Sequence, residues 1–140
     1  MRNIIHVLPI KADPETVFQA LSTIEGLKSW WTSKVEGETK REAQITFRFV
    51  KGFNPVMKIL KMKKQQVEWR CVGGTNDWLD AMIDFYIIPT EEGVKLKFQQ
   101  NYARLVDDDT YGVYNHNWGY YLESLRLFCE EGTGKPFKAT

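Results

Sequence analysis

From about residue 41 the hydrophobic pattern has a period of two, and near residue 107 it turns helical; that second change dictates the architecture. Between the two points, apolar and polar residues alternate. Ile45, Phe47 and Phe49 alternate with Gln44, Thr46 and Arg48, and Val67, Trp69 and Cys71 with Glu68 and Arg70. Ile83, Phe85 and Ile87 alternate with Asp84 and Tyr86, and Leu96, Phe98, Gln100 and Tyr102 with Lys95, Lys97, Gln99 and Asn101. A period of two marks half-buried strands. Residues 56–63 read as a further strand of ambiguous phase, with Met57 and Ile59 competing against Leu60 and Met62 for the inner face. Turn residues at 52–55, 73–77 and 89–93 leave only short connections, so these five strands form an antiparallel meander.

After residue 107 the pattern turns helical. Asp107-Asp108-Asp109 suits the positive end of a helix predicted over 110–131, and Gly132 closes it. Steps of 100° place Tyr111, Tyr114, Trp118, Tyr121, Leu122, Leu125, Phe128 and Cys129 on one stripe. Such a helix spans about 33 Å, and strands of about ten residues span about 34 Å. The helix therefore lies along the concave face of a curled sheet. Residues 3–10 read as a first strand of the same sheet. Asp13-Pro14-Glu15 then starts a short helix bearing Val17, Phe18 and Leu21. A capping box at Ser22-Thr23-Ile24-Glu25 starts a second, carrying Leu27, Trp30 and Trp31 and weakened by Gly26. The expected fold is α+β: a curved antiparallel six-stranded sheet wrapped around a long C-terminal helix, with two short helices after strand 1.

Composition narrows the function classes. The 140 residues suit one domain, 1–140. Lys plus Arg number 19 and Asp plus Glu 18, a net charge of +1, which argues against a nucleic-acid or anionic-membrane binder. No apolar run is long enough for membrane insertion. The first residues, broken by His6, Pro9 and Lys11, make a poor export signal, so a cytoplasmic location with Cys71 and Cys129 as reduced thiols is expected. Aromatic residues make up 14% of the chain. Rings in that number either overfill a solid core or line a hollow one.

The order of elements resembles the helix-grip fold of the START-like, birch-pollen-allergen-like (SRPBCC) superfamily. Within it, the chain resembles the homologues of the heat-shock protein 90 ATPase activator C-terminal domain. The resemblance rests on Pro14-Glu15-x-Val17-Phe18-x-Ala20-Leu21, Leu27-x-x-Trp30-Trp31, Val67-x-Trp69, Trp118-x-x-Tyr121-Leu122-x-Ser124-Leu125 and Gly132-x-Gly134-x-Pro136-Phe137. It implies a deep apolar pocket between sheet and long helix, where superfamily members bind lipids, hormones or polyketides. Some members catalyse cyclisation or dehydration, and the eukaryotic namesake stimulates a chaperone ATPase.

The candidate ligand-binding residues are the inward rings Trp30, Phe47, Trp69, Phe85, Phe98, Trp118 and Tyr121, with Gln100, Tyr114 and Tyr121 as orienting polar contacts. Buried indole N–H and phenol O–H groups need partners, which a ligand or water in a cavity supplies. The expected partner is a small hydrophobic molecule. No cofactor is implied. His6 and His116 lie far apart without a matching carboxylate set, a weak basis for a metal site. The wheel turns His116 to solvent, and His6 reads as a packed histidine. Asn115 sits at the edge of the inner stripe and reads as making a local bond. The basic cluster Lys58, Lys61, Lys63 and Lys64 reads as a solvated strand end, and Gly73-Gly74 lacks the Lys-Ser/Thr of a phosphate loop. The strand and helix phases place no Asp, Glu, His or Lys inward. A polyketide cyclase/aromatase-like enzyme therefore ranks second, and a chaperone-modulating interaction module is the other rival. Tyr120 and Leu127 on the outer side of the long helix offer a modest patch for a homodimer contact.

Overall fold

The structure is a computed structural model and describes residues 2–140. Strand β1 (Asn3–Ile10) leads into helices α1 (Pro14–Ser22) and α2 (Ile24–Trp30). Strands β2 (Lys34–Gly37), β3 (Gln44–Arg48), β4 (Val56–Lys63), β5 (Gln66–Gly73), β6 (Met82–Thr90) and β7 (Gly93–Asn101) follow, and helix α3 (Asp108–Glu131) ends the regular structure. The strands form one antiparallel sheet in the order β1-β7-β6-β5-β4-β3-β2. This is the helix-grip arrangement, with seven strands where the sequence reading expected six. The addition is β2, four residues of which only Val35 is buried. An edge strand that short has no alternation to read. The strands are also shorter than the ten residues expected, running from four to nine.

The helix boundaries follow from local chemistry. Asp13 caps α1 by accepting from the Thr16 N–H at 2.8 Å, and Asp107 caps α3 by accepting from the Thr110 N–H at 2.8 Å. Gly132 ends α3 in the left-handed region, at φ 83°. Gly26 has a packing reason. A β-carbon there would lie 2.7 Å from the Ala20 Cα and 2.7 Å from the Gln19 carbonyl oxygen, so only glycine lets α1 and α2 cross this closely. The Trp30 indole N–H donates to the Ala20 carbonyl at 2.9 Å and locks the same crossing.

The ambiguous phase of β4 has a physical resolution. Met57 and Ile59 point inward, and the register with β5 slips between Ile59 and Lys61. The slip makes Leu60 the extra residue of a bulge, after which Met62 packs on the core. Met57 and Ile59 hold the inner face before the bulge and Met62 after it, while Leu60 belongs to neither side.

The interior between sheet and α3 is packed with rings. Trp31 stands at its centre, 4.5 Å from Phe47, 5.0 Å from Trp118 and 6.0 Å from Trp69 between ring centroids. Phe98 lies 4.3 Å from Trp118, and Phe85 5.0 Å from Trp69. Most of these pairs are tilted or edge-on, as the charge distribution of aromatic faces and edges favours.

Candidate functional site

At one end of this stack the rings part and leave a cleft of about 310 Å³. That is near the lower end of the range for small-molecule sites. Trp118, Tyr114, Asn117 and Tyr121 of α3 form one wall, and Trp31 closes the base. Phe49, Val50 and Phe53 come from the β3–β4 connection, Trp78 from the loop after β5, and Phe137 from the C-terminal segment. All lining residues except Val50 and Asn117 are aromatic. Phe53 stands edge-on to Trp78 at 4.9 Å and stacks on Tyr114 at 5.8 Å. The Phe137 segment is tied to the body by its backbone, through Ser33 N–H to the Phe137 carbonyl at 2.8 Å and Phe137 N–H to the Trp31 carbonyl at 2.9 Å.

Of the residues singled out from sequence, Tyr114, Trp118 and Tyr121 line the cleft. Trp30, Phe47, Trp69, Phe85, Phe98 and Gln100 lie beneath it, each fully buried in the ring stack. The cleft also uses Trp31, Phe49, Phe53, Trp78, Asn117 and Phe137, which sequence reasoning did not single out. Trp31, four residues after Leu27, shares the apolar side of α2 with Leu27 and Trp30, and it is the C-cap residue, where the chain leaves the helix. Phe49 continues the alternation of Ile45 and Phe47 just past the end of β3, whereas Phe53, Trp78 and Phe137 sit outside regular strands and helices, where no period marks a facing side.

Polar groups cluster below and beside the α3 wall. The Trp118 indole N–H donates to Gln100 Oε1 at 2.7 Å, so half of the buried amide is satisfied by a ring of the cleft. Gln100 Nε2, Trp78 Nε1 and the Tyr102 hydroxyl are buried and have no partner among the described residues. Tyr114 donates its hydroxyl to Asp77 Oδ2 at 2.9 Å. Burial, then the Asp77 carboxylate, holds the Tyr114 phenol above the usual tyrosine range. Burial raises Tyr121 and Tyr102 as well. These phenols therefore stay protonated and act as hydrogen-bond donors near neutral pH. Asn117 and the two tyrosines are the polar side chains on the walls, and no carboxylate, imidazole or ammonium group is among the lining residues described.

The remaining candidates fall elsewhere. His116 is exposed. His6 packs under α3, with Nε2 3.1 Å from Asn115 Oδ1, so the Asn115 bond is to β1 rather than local. Lys58 pairs with Glu42 at 3.2 Å, and Lys61, Lys63 and Lys64 are solvated. Tyr120 is 51% exposed, whereas Leu127 is half-buried, so the outer patch of α3 is smaller than expected. Cys71 and Cys129 are free thiols. Among the described residues, no group of three metal-ligating side chains forms, and no helix is long and apolar enough to cross a membrane.

The family of activator of Hsp90 ATPase homolog 1-like proteins matches residues 11–130. The chain belongs to that family. Membership of the activator of Hsp90 ATPase homolog 1-like family is reinforced by similarity to the Aha1 dimer from Colwellia psychrerythraea, determined in solution. That protein is 33% identical, with 96% of this chain and 100% of that chain covered and a TM-score of 0.84. Protein MLL2253 from Mesorhizobium loti shares the fold at 18% identity, with 90% and 95% covered and a TM-score of 0.77. CalU16 from Micromonospora echinospora shares it at 15% identity, with 96% and 77% covered and a TM-score of 0.74. No curated protein sequence matches.

Proposed function

We propose that the protein binds a small, mostly apolar molecule in the cleft between α3 and the β3–β4 connection. The observation that carries this reading is a ring-lined cleft of about 310 Å³ in a fold whose interior is otherwise packed. Tyr114, Trp118 and Tyr121 form the contact wall. Trp30, Phe47, Trp69, Phe85 and Phe98 fix the floor behind it, and Gln100 orients Trp118 through the hydrogen bond to its indole. Flat ligands fit best, because stacked and edge-on rings present slots rather than a sphere. Titration with a panel of apolar compounds, read by tryptophan fluorescence and native mass spectrometry, tests the reading. Trp31, Trp78 and Trp118 border the site, so binding changes their emission. Emission unchanged across the panel, with no adduct retained, refutes it.

The family description favours a second reading, stimulation of an Hsp90-type ATPase. ATP hydrolysis by the chaperone, measured with and without this protein, decides it independently of the cleft. A second copy of the chain is the macromolecular partner proposed. The support is the Colwellia psychrerythraea relative, described as a dimer, which this chain matches along nearly its whole length.

A further inference from the structure

Strand β1 lies at the edge of the sheet, with β7 on one side and no strand on the other. Its hydrogen-bond parity can be read off. Tyr102 N–H donates to the Arg2 carbonyl at 3.0 Å, and this pair continues the register Asn3↔Asn101 and Ile4↔Gln100. In an antiparallel ladder every second residue bonds the neighbour, so Arg2, Ile4, His6, Leu8 and Ile10 turn their N–H and C=O groups to β7. Asn3, Ile5, Val7 and Pro9 turn theirs to the open edge. Helix α3 occupies that edge at both ends and confirms the parity: the Tyr111 hydroxyl donates to the Asn3 carbonyl, and Lys11 N–H donates to Glu130 Oε2 at 2.8 Å. Between those two caps the open donors are the N–H groups of Asn3, Ile5 and Val7. The open acceptors are the carbonyls of Ile5, Val7 and Pro9.

We propose that β1 of a second copy completes this edge, antiparallel, with Ile5 of each copy opposite Val7 of the other. This rests on the pairing reading above and names its surface. In this register Ile5 N–H meets the Val7 carbonyl of the second copy, and Val7 N–H meets its Ile5 carbonyl. Asn3 N–H meets its Pro9 carbonyl. Proline returns no donor, and the Asn3 carbonyl that would have received one already holds Tyr111. Every open group is matched. Moving the register by two residues either way strands a carbonyl: Pro9 in one direction, Ile5 in the other. The side chains agree. Ile5 is 49% and Val7 57% exposed, beside polar Gln99 and Lys97 of β7, and each would gain an apolar neighbour from the second copy. Above the edge, α3 packs Gly119 on the His6 ring, whose Cε1 lies 3.5 Å from where a β-carbon would stand.

Sedimentation velocity across a concentration series, with hydrogen exchange at each concentration, tests this. A dimer whose formation slows exchange of the Ile5 and Val7 amides supports it. Val7→Pro removes an edge donor that β7 does not use and should weaken association roughly tenfold or more. Ile5→Lys, an exposed substitution, should weaken it without altering the circular dichroism. If Val7→Pro fails to fold, the exchange data on the unaltered chain decide. A dimer in which both amides exchange as fast as in the monomer overturns the β1 surface and leaves the pairing reading standing. A chain that stays monomeric at every concentration overturns both.

Discussion

Gln100 shows how much a single side chain has to reconcile. It is 0% exposed, its oxygen accepts from Trp118, and its nitrogen has no partner among the described residues. Its inward direction was legible, because strand period alone sets it beside Phe98 and Tyr102. Its partner was not, because that depends on where α3 sets Trp118 along the sheet. A buried unmet donor costs about 1–3 kcal/mol. Gln100→Leu removes that group but leaves the Trp118 N–H without its acceptor. The two effects oppose, so the expected change in stability is within about 1 kcal/mol, read from urea unfolding midpoints. Gln100→Ala adds a cavity and should cost about 2–4 kcal/mol more. At the cleft wall, Tyr114→Phe keeps the ring and loses the bond to Asp77, which at this half-buried position should cost roughly 1 kcal/mol by the same measurement.

At the scale of elements, the alternation in β3, β5, β6 and β7 and the stripe of α3 made the sheet and its helix legible. What escaped was set by contacts between elements. The glycine in α2 reads as a weak point in isolation, yet the α1–α2 crossing demands it. Gly26→Ala should improve helix propensity by about 1 kcal/mol but force backbone atoms of Gln19 and Ala20 apart, for a net loss of roughly 2 kcal/mol, seen as a lower melting temperature. A second between-element effect sits on the outer face of the sheet. Glu68 of β5 faces Asp84 of β6, whose Oδ1 accepts from Gln66 Nε2 at 2.9 Å. Burial, followed by the hydrogen bond to and repulsion from Asp84, raises the Glu68 carboxyl to about 7, against the pull of Lys61. The folded state therefore prefers the protonated acid. Its stabilising contribution is complete below the ordinary glutamate range near 4.5 and is lost as pH rises through about 7. Unfolding midpoints should fall across that window relative to Glu68→Gln, which holds the same bond without a charge. Parallel curves for the two proteins would exclude the pair as the source.

For the molecule as a whole, the cleft draws its walls from segments distant in sequence: the end of α2, the β3–β4 connection, the loop after β5, α3 and the C-terminal strip around Phe137. Global unfolding separates all of them, so a ligand held there binds the folded state alone. At a hundredfold excess over its dissociation constant it should add about 2.7 kcal/mol of stability. For a chain of this size that raises the melting temperature by roughly 5–11 °C. The size of the shift does not locate the ligand, but its response to a filled cleft does. Asn117 is an exposed residue on the α3 wall, and Asn117→Trp places an indole across the opening without disturbing the buried stripe of Trp118, Leu122 and Leu125. The unaltered chain should show the full shift and Asn117→Trp almost none, while both melt at similar temperatures without ligand. An equal shift in both would put the bound molecule outside the cleft, because an indole lying across the entrance and a molecule seated behind it compete for the same space.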